Sequence, residues 1–144
     1  MSRFEFPKAT PKLFQAMLKL ADALSDNATI PPVLRDLIEI RVSQINNCSH
    51  CLRMHAKSFI EHGGDTRQLT MVAVWRNANG FDAAERAALD WAECLTRNAD
   101  KDTISQSYQN LLAHYDVTRI SEISCIVSTM NAWNRLGIAQ HELA

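Results

Sequence analysis

The segment Asn47-Cys48-Ser49-His50-Cys51-Leu52-Arg53-Met54-His55 gathers the most reactive side chains of this 144-residue chain. On a helix, Cys48, Cys51 and His55 fall at i, i+3 and i+7 and share one face. Cys51 and His55 are then an i,i+4 pair, and the imidazole can reach the sulfur. Both cysteines would sit in the first turn, where the helix dipole and free N–H groups stabilise a thiolate, the nucleophilic form of the thiol. Such a pair can cycle between dithiol and disulfide. His50 points to the opposite face, as a surface or interface histidine, unless the first turn is irregular.

Other chemistries fit this segment less well. A c-type haem site needs His directly after the second Cys, and Leu52 stands there. Structural zinc usually takes four ligands in two pairs, and Cys94 and Cys125, 31 residues apart, supply no second pair. A metal site of Cys48, Cys51 and His55 completed by Asp36 stays open as a lesser alternative, as do two cysteines that merely pack. The thioredoxin version of Cys-x-x-Cys belongs to a βαβ context. A redox-active dithiol is the favoured reading. Cys94 and Cys125 are expected to be buried small hydrophobes, and His62, His114 and His141 to lie at the surface.

One helix upstream stand Asp36 and Glu39. Periodicity alone gives them a solvated polar face. The turn at Asn46-Asn47 nevertheless folds that helix back beside the dithiol helix, where a carboxylate would orient His55 as the third member of an activated-nucleophile relay.

The elements that must position these groups are all helical. Thr10-Pro11 opens a helix with the stripe Leu13, Phe14, Met17, Leu18, Ala21 and Leu24. A second helix spans about 32–45 on Leu34, Leu37, Ile38, Val42 and Ile45. Arg41 falls inside that stripe and needs a carboxylate partner or an oligomer interface. The dithiol helix should run over about 48–62 and stop at Gly63-Gly64. Asp65-x-x-Gln68 and Asp82-x-x-Glu85 read as capping boxes opening helices to about 77 and 97, with Asn79-Gly80 between them. A short helix near 105–114 precedes a long one over about 118–141, carrying Ile120, Ile123, Val127, Met130 and Trp133. No segment shows period-two alternation bounded by turn residues. These signals predict an all-α, compact multi-helix bundle of six to eight helices in a single domain, 1–144.

Composition agrees. Only eight of the 144 residues are Gly or Pro, so long uninterrupted elements are expected. Fifteen Lys+Arg against sixteen Asp+Glu give a formal charge of −1, without the footprint of a nucleic-acid binder or a polybasic membrane patch. The longest apolar run is five residues, 71–75, against roughly 20 for a bilayer span. The amino-terminal residues carry charges and no apolar signal region. A cytoplasmic, reducing setting is therefore expected, with no structural disulfide framework.

The stretch from Asp36 to Lys57 strongly resembles the AhpD-like alkylhydroperoxidases of the carboxymuconolactone decarboxylase superfamily. The resemblance continues through Trp75-Arg76, Phe81, Glu85 to Glu93 and Asn131-Ala132-Trp133-Asn134-Arg135-Leu136. It covers nearly all of the chain after the first helix. It implies thiol-dependent reduction of organic hydroperoxides or hydrogen peroxide, with the motif residues on Asp36, Cys48, His50, Cys51 and His55. Cys51 would attack the peroxide and Cys48 would resolve, although spacing alone leaves these roles exchangeable. Two positions depart from the family pattern. Asp36 stands where Glu is usual, so the relay needs a water or passes to Glu39. Asn47 stands where Gly is common, and Asn tolerates the left-handed turn better than most residues.

The resemblance further implies no bound cofactor, an external dithiol reductant (lipoyl-type in some members) and a homo-oligomer, a trimer or more typically a hexamer. Two alternatives stay open. One is the superfamily's decarboxylase branch, whose members lack the dithiol. The other is a non-catalytic redox sensor built on the same disulfide.

Overall fold

Proline, glycine and aspartate caps cut the chain into helices, and the computed structural model describes residues 1–26 and 28–141. An amino-terminal arm holds α1 (Phe6–Ala9) and α2 (Pro11–Asp26), followed by α3 (Pro32–Ile45) and α4 (Ser49–Glu61). A short α5 (Thr66–Met71) runs into a 3₁₀ segment (Val72–Asn77); α6 (Ala83–Thr96), α7 (Lys101–Leu112) and α8 (Val117–Gln140) complete the bundle. The fold is all-α, with eight α-helices among the described residues, as the sequence predicts. None of the helices among the described residues is long and apolar enough to cross a membrane.

Local chemistry explains where the boundaries moved. The Asp82 box is present in both directions, Asp82 accepting from the Glu85 N–H and Glu85 from the Asp82 N–H. The expected Asp65 box is not reciprocal. Asp65 caps Arg67, but the Gln68 side chain turns away to the Gly80 carbonyl at 2.8 Å and the Glu85 carboxylate. The helix expected to reach 77 breaks instead, because Val74 leaves helical geometry at φ −121°. The short helix near 105–114 starts four residues earlier than expected, since Asp100 caps the N–H groups of Asp102 and Thr103. α1, which has no strong sequence signal, is an addition.

α3 is the axle of the bundle. From Asp36 to Ser43 every residue is buried, so this helix has no solvated face. Leu37 and Ile40 pack with Phe59, Val72, Trp75 and Leu89 on one side. Ile38 and Val42 pack with Trp91, Ile123, Val127, Met130 and the two motif cysteines on another. Polar groups inside such a helix must be paired, because an unpaired one costs a desolvation penalty. Arg41 accordingly donates to Glu93 at 2.7 Å, and Glu93 also accepts from Trp75 Nε1 and Arg76. Burial would raise the Glu93 pKa, but these donors hold it below the ordinary value.

Of the two lone cysteines, Cys94 is buried as expected and Cys125 is exposed. The correction follows from helical geometry. Ile123 and Val127 face the core from α8, and Cys125 midway between them points about 160–200° away.

Candidate redox-active site

The turn between α3 and α4 places the two cysteines. Asn47 takes φ 58°, the left-handed conformation required of the residue before Cys48. Asn46 then donates from Nδ2 to Asn131 Oδ1 at 2.9 Å and to Asn134 Oδ1 at 3.0 Å on α8. Asn134, fully buried, passes the network back to α3 by donating to Ser43 Oγ at 3.0 Å. This amide knot fixes the start of α4 against α8.

Cys48 is the N-cap of α4 and Cys51 lies three residues on; the two form a disulfide with their Cα atoms 5.4 Å apart. Both are buried. Such a pair can pass between disulfide and dithiol, a two-electron change. α8 approaches it closely: a Cβ built on Gly137 would lie 3.3 Å from Cys48 Sγ and 3.6 Å from Cys51 Sγ. Gly137 was not singled out in the sequence. The signal that could have found it is an isolated glycine inside a long helix, a position where a neighbour can approach the backbone closely.

Cys51 lines a cavity of about 490 Å³, and Cys48 is not among its lining residues. Phe14, Leu18, Met54, Met130, Trp133 and Leu136 make its walls largely apolar. Phe6, Phe14 and Trp133 meet edge to face over it, with centroids 5.5–6.5 Å apart. The amino-terminal arm is tied down by Arg3, which donates to the carbonyls of Ile138, Ala139 and His141, and by the Phe6 N–H on Gln140 Oε1 at 2.7 Å. α1 and α2 thus roof the space next to the disulfide.

His55, Glu39 and His50 share that cavity lining. His55 Nδ1 lies 2.9 Å from Glu39 Oε2 and 4.0 Å from Asp36 Oδ1. Glu39, rather than Asp36, is therefore the carboxylate within hydrogen-bonding distance of His55. Arg35 donates to the other Glu39 oxygen at 3.2 Å. Neither acid lies on a solvated face, Asp36 being 3% exposed and Glu39 7%. Burial by itself would lower the His55 pKa, but the Asp36 and Glu39 carboxylates outweigh it and raise the pKa to about 9. The imidazole is thus a cation at neutral pH, and its Nε2 is the nitrogen left over for the cavity.

Two histidines expected at the surface have partners. His62 Nδ1 sits 2.5 Å from Asp36 Oδ2, and its side chain is 46% exposed. His141 lines the cavity and faces His50 with ring centroids 5.5 Å apart. The spacing did carry a signal for His62, since it stands seven residues after His55 and so on the same face of α4. His114 is exposed, as expected.

Asp36, Glu39 and His55 each offer an atom of metal-ligating type, all within 4.8 Å of one another. The same atoms also form an ion-pair network, with Arg35 on Glu39 and His55 facing both carboxylates.

Residues 11–93 match the profile of the Carboxymuconolactone decarboxylase family. The Bacillus subtilis uncharacterized protein YdfG is 30% identical over 139 residues, covering 96% of this chain and 92% of its own. The Escherichia coli uncharacterized protein YnjA is 28% identical over 111 residues, 76% of this chain and 60% of its own. A solved Agrobacterium tumefaciens structure, of a protein of unknown function described as a putative antioxidant defence protein AhpD, superposes with a TM-score of 0.90 at 27% identity. That match covers all of both chains. The debrominase Bmp8, solved with 2,3,4-tribromopyrrole, shares the fold with a TM-score of 0.80 at 20% identity, over 95% of this chain and 74% of its own.

Proposed function

The chain belongs to the carboxymuconolactone decarboxylase family, in its AhpD-like group, and from that premise we propose that it is a thiol-dependent peroxidase. One observation carries the reading: Cys51, half of a dithiol–disulfide pair, faces an apolar cavity whose lining also holds the His55–Glu39 ion pair. In the reduced protein the His55 cation favours the Cys51 thiolate. The thiolate attacks the distal oxygen of a hydroperoxide, forming an S–O bond as the O–O bond breaks. His55 gives its proton to the departing alkoxide, which leaves as an alcohol. The sulfenic acid on Cys51 is then attacked by the Cys48 sulfur. An S–S bond forms, the S–O bond breaks, and the hydroxyl leaves as water with the Cys48 proton.

Each cycle consumes one dithiol and one hydroperoxide and yields the disulfide, an alcohol and water. An external dithiol, the lipoyl type being one class to include among the donors tested, must return two electrons and two protons by exchange. No resident cofactor takes part in this scheme. The apolar walls favour an organic hydroperoxide over hydrogen peroxide, because they reward a hydrocarbon body with burial.

The test is peroxide consumption by the pre-reduced protein, with and without a panel of dithiol donors. Sustained turnover with at least one donor is expected. Cys51→Ser should abolish it, and Cys48→Ser should accumulate a sulfenic acid trappable by dimedone. A single oxidation without turnover under every donor would favour a redox sensor instead. Full peroxide consumption by Cys51→Ser would overturn the assignment.

A further inference from the structure

We propose that the dithiol reducing the Cys48–Cys51 disulfide enters the same apolar cavity as the hydroperoxide and attacks Cys51, so that Cys48 is the leaving group and meets no solute. The inference rests on the peroxidase reading for the oxidising half of the cycle; the reducing half stands on the surroundings of the disulfide. Exchange begins when a thiolate meets one sulfur of a disulfide, and access to that sulfur governs the rate. Surface exposure does not separate the two, Cys48 being 3% and Cys51 4% exposed. The cavity does: Cys51 is part of its lining and Cys48 is not. Cys48 is instead held against α8, where a Cβ built on Gly137 would stand 3.3 Å from its Sγ.

Charge does not choose between the sulfurs. Cys48 is the N-cap of α4, where the N–H groups of the first turn favour a thiolate. Its side chain caps none of them in the disulfide, and release lets the sulfur turn to them. Cys51 shares that helix terminus, and shares the cavity with the His55 cation. Either sulfur is an adequate leaving group, and the side from which a donor can arrive decides. The donor thiolate forms an S–S bond to Cys51 as the Cys48–Cys51 bond breaks, and Cys48 leaves with the pair of electrons. The donor's second thiolate then attacks its own first sulfur. The donor closes into a disulfide, the mixed disulfide breaks and Cys51 leaves as a thiolate. Two electrons have passed from donor to protein. The donor's two protons end on Cys48 and on His55, which had given one to the alkoxide.

The walls then select the donor as they select the peroxide. Phe14, Met54 and Trp133 reward a hydrocarbon body with burial. Hydroxyl groups on a donor lose water there and find few partners in return. The roof of α1 and α2, with Phe6 and Phe14 edge to face on Trp133, admits a slender dithiol on a hydrocarbon chain and not the surface of a folded redox protein. One cavity for both substrates also makes them alternate, each competing with the other for the space in front of Cys51.

Two measurements, both without peroxide, test the route and the atom. The route is read on the oxidised wild-type protein with 1,4-butanedithiol and dithiothreitol, which share a carbon chain and differ by two hydroxyl groups. Each rate is divided by the same donor's rate on hydroxyethyl disulfide in water. Butanedithiol should then be about ten-fold faster, because its competitor must bury two hydroxyls. A ratio near one means attack from open water and overturns the shared cavity. The atom is read from the single-site variants Cys48→Ser and Cys51→Ser in a Cys125→Ser background, with S-butyl methanethiosulfonate as the probe. Compared as limiting rates of the thiolates, Cys51 should react about ten-fold faster than Cys48, since access is what remains to separate them. Equal rates, or a faster Cys48, overturn the choice of Cys51. If the wild-type protein consumes no peroxide, the peroxidase reading falls alone, and these two ratios still decide where the donor arrives.

Discussion

Glu39 and His55 face each other across the seam between α3 and α4, with 2.9 Å separating Oε2 from Nδ1. Asp36, at the position where the family resemblance puts the acid, stands a further ångström from the same ring. The acid closest to His55 is therefore displaced by one helical turn. Asp36 is one methylene shorter than Glu, and the longer side chain of Glu39 reaches the nitrogen from the next turn of the same buried helix.

Glu39→Gln should consequently harm peroxide turnover more than Asp36→Asn. We expect a fall in kcat/KM of roughly ten- to a hundred-fold for Glu39→Gln, at the lower end of general acid–base effects. Its pH profile should show the His55 limb moving to lower pH, since a carboxylate that raised the pKa is gone. Equal profiles for the two variants would restore Asp36 to the direct role.

Stability should respond to pH with a definite sign. In the folded, oxidised protein the His55 pKa is raised to about 9 from an ordinary 6.5. Its ion pair therefore stabilises fully below the unfolded value and is lost as pH rises through the folded one. The amount is on the order of 2–3 kcal/mol, given a side chain 15% exposed. Urea unfolding of wild-type and His55→Gln at pH 6, 7.5 and 9.5 should show a stability gap that shrinks with rising pH. A gap constant across that range would refute the ion pair's contribution. On the acid side the sign reverses, because the lowered Asp36 pKa keeps its contribution until pH falls below the ordinary aspartate range.

Gly137 should tolerate Ala far better than Val. A methyl group there meets Cys48 Sγ at 3.3 Å, a squeeze that helix propensity, worth about 1 kcal/mol for Gly→Ala, largely offsets. Gly137→Val adds two more carbons against the sulfurs. Thiol–disulfide exchange with dithiothreitol should slow several-fold in the Val variant and little in the Ala variant.

Asn134→Ala should cost about 1–3 kcal/mol, because it orphans the buried Ser43 hydroxyl and removes an acceptor for Asn46. Thermal unfolding measures the cost directly. A loss of peroxide turnover beyond the loss of folded protein would show that the knot also aims Cys48.

Association of several copies remains our proposal for the assembled protein. No residue of α2 is buried within one chain, and Leu13 and Leu20 are exposed on it. Light scattering should return three or six times the 16.2 kDa chain mass, and a monomer's mass would refute it.

How far the sequence reached is clear from particular residues. The dithiol helix, the left-handed Asn47, the Asp82 box and a carboxylate for Arg41 were all legible, because each depends on a few neighbouring positions or on one unavoidable pairing. Burial of Asp36 and Glu39 was not. A helix enclosed on all sides carries its polar residues inward, and periodicity reads such residues as a solvated face. The contacts of His62 with Asp36 and of His141 with His50 span 26 and 91 residues, beyond any local pattern. Cys125 was misplaced by a general tendency of free cysteine, where the α8 register alone would have put it outside.

That outward Cys125 has a practical consequence. It is exposed, Cys94 is buried, and Cys48 and Cys51 change state together. A maleimide titration of the native chain should therefore find Cys125 as the one fast thiol in the oxidised protein, and additional reactivity from the pair after reduction. Cys125 is a built-in reference against which the pair can be counted, and a Cys125→Ser background isolates the reaction centre for spectroscopy.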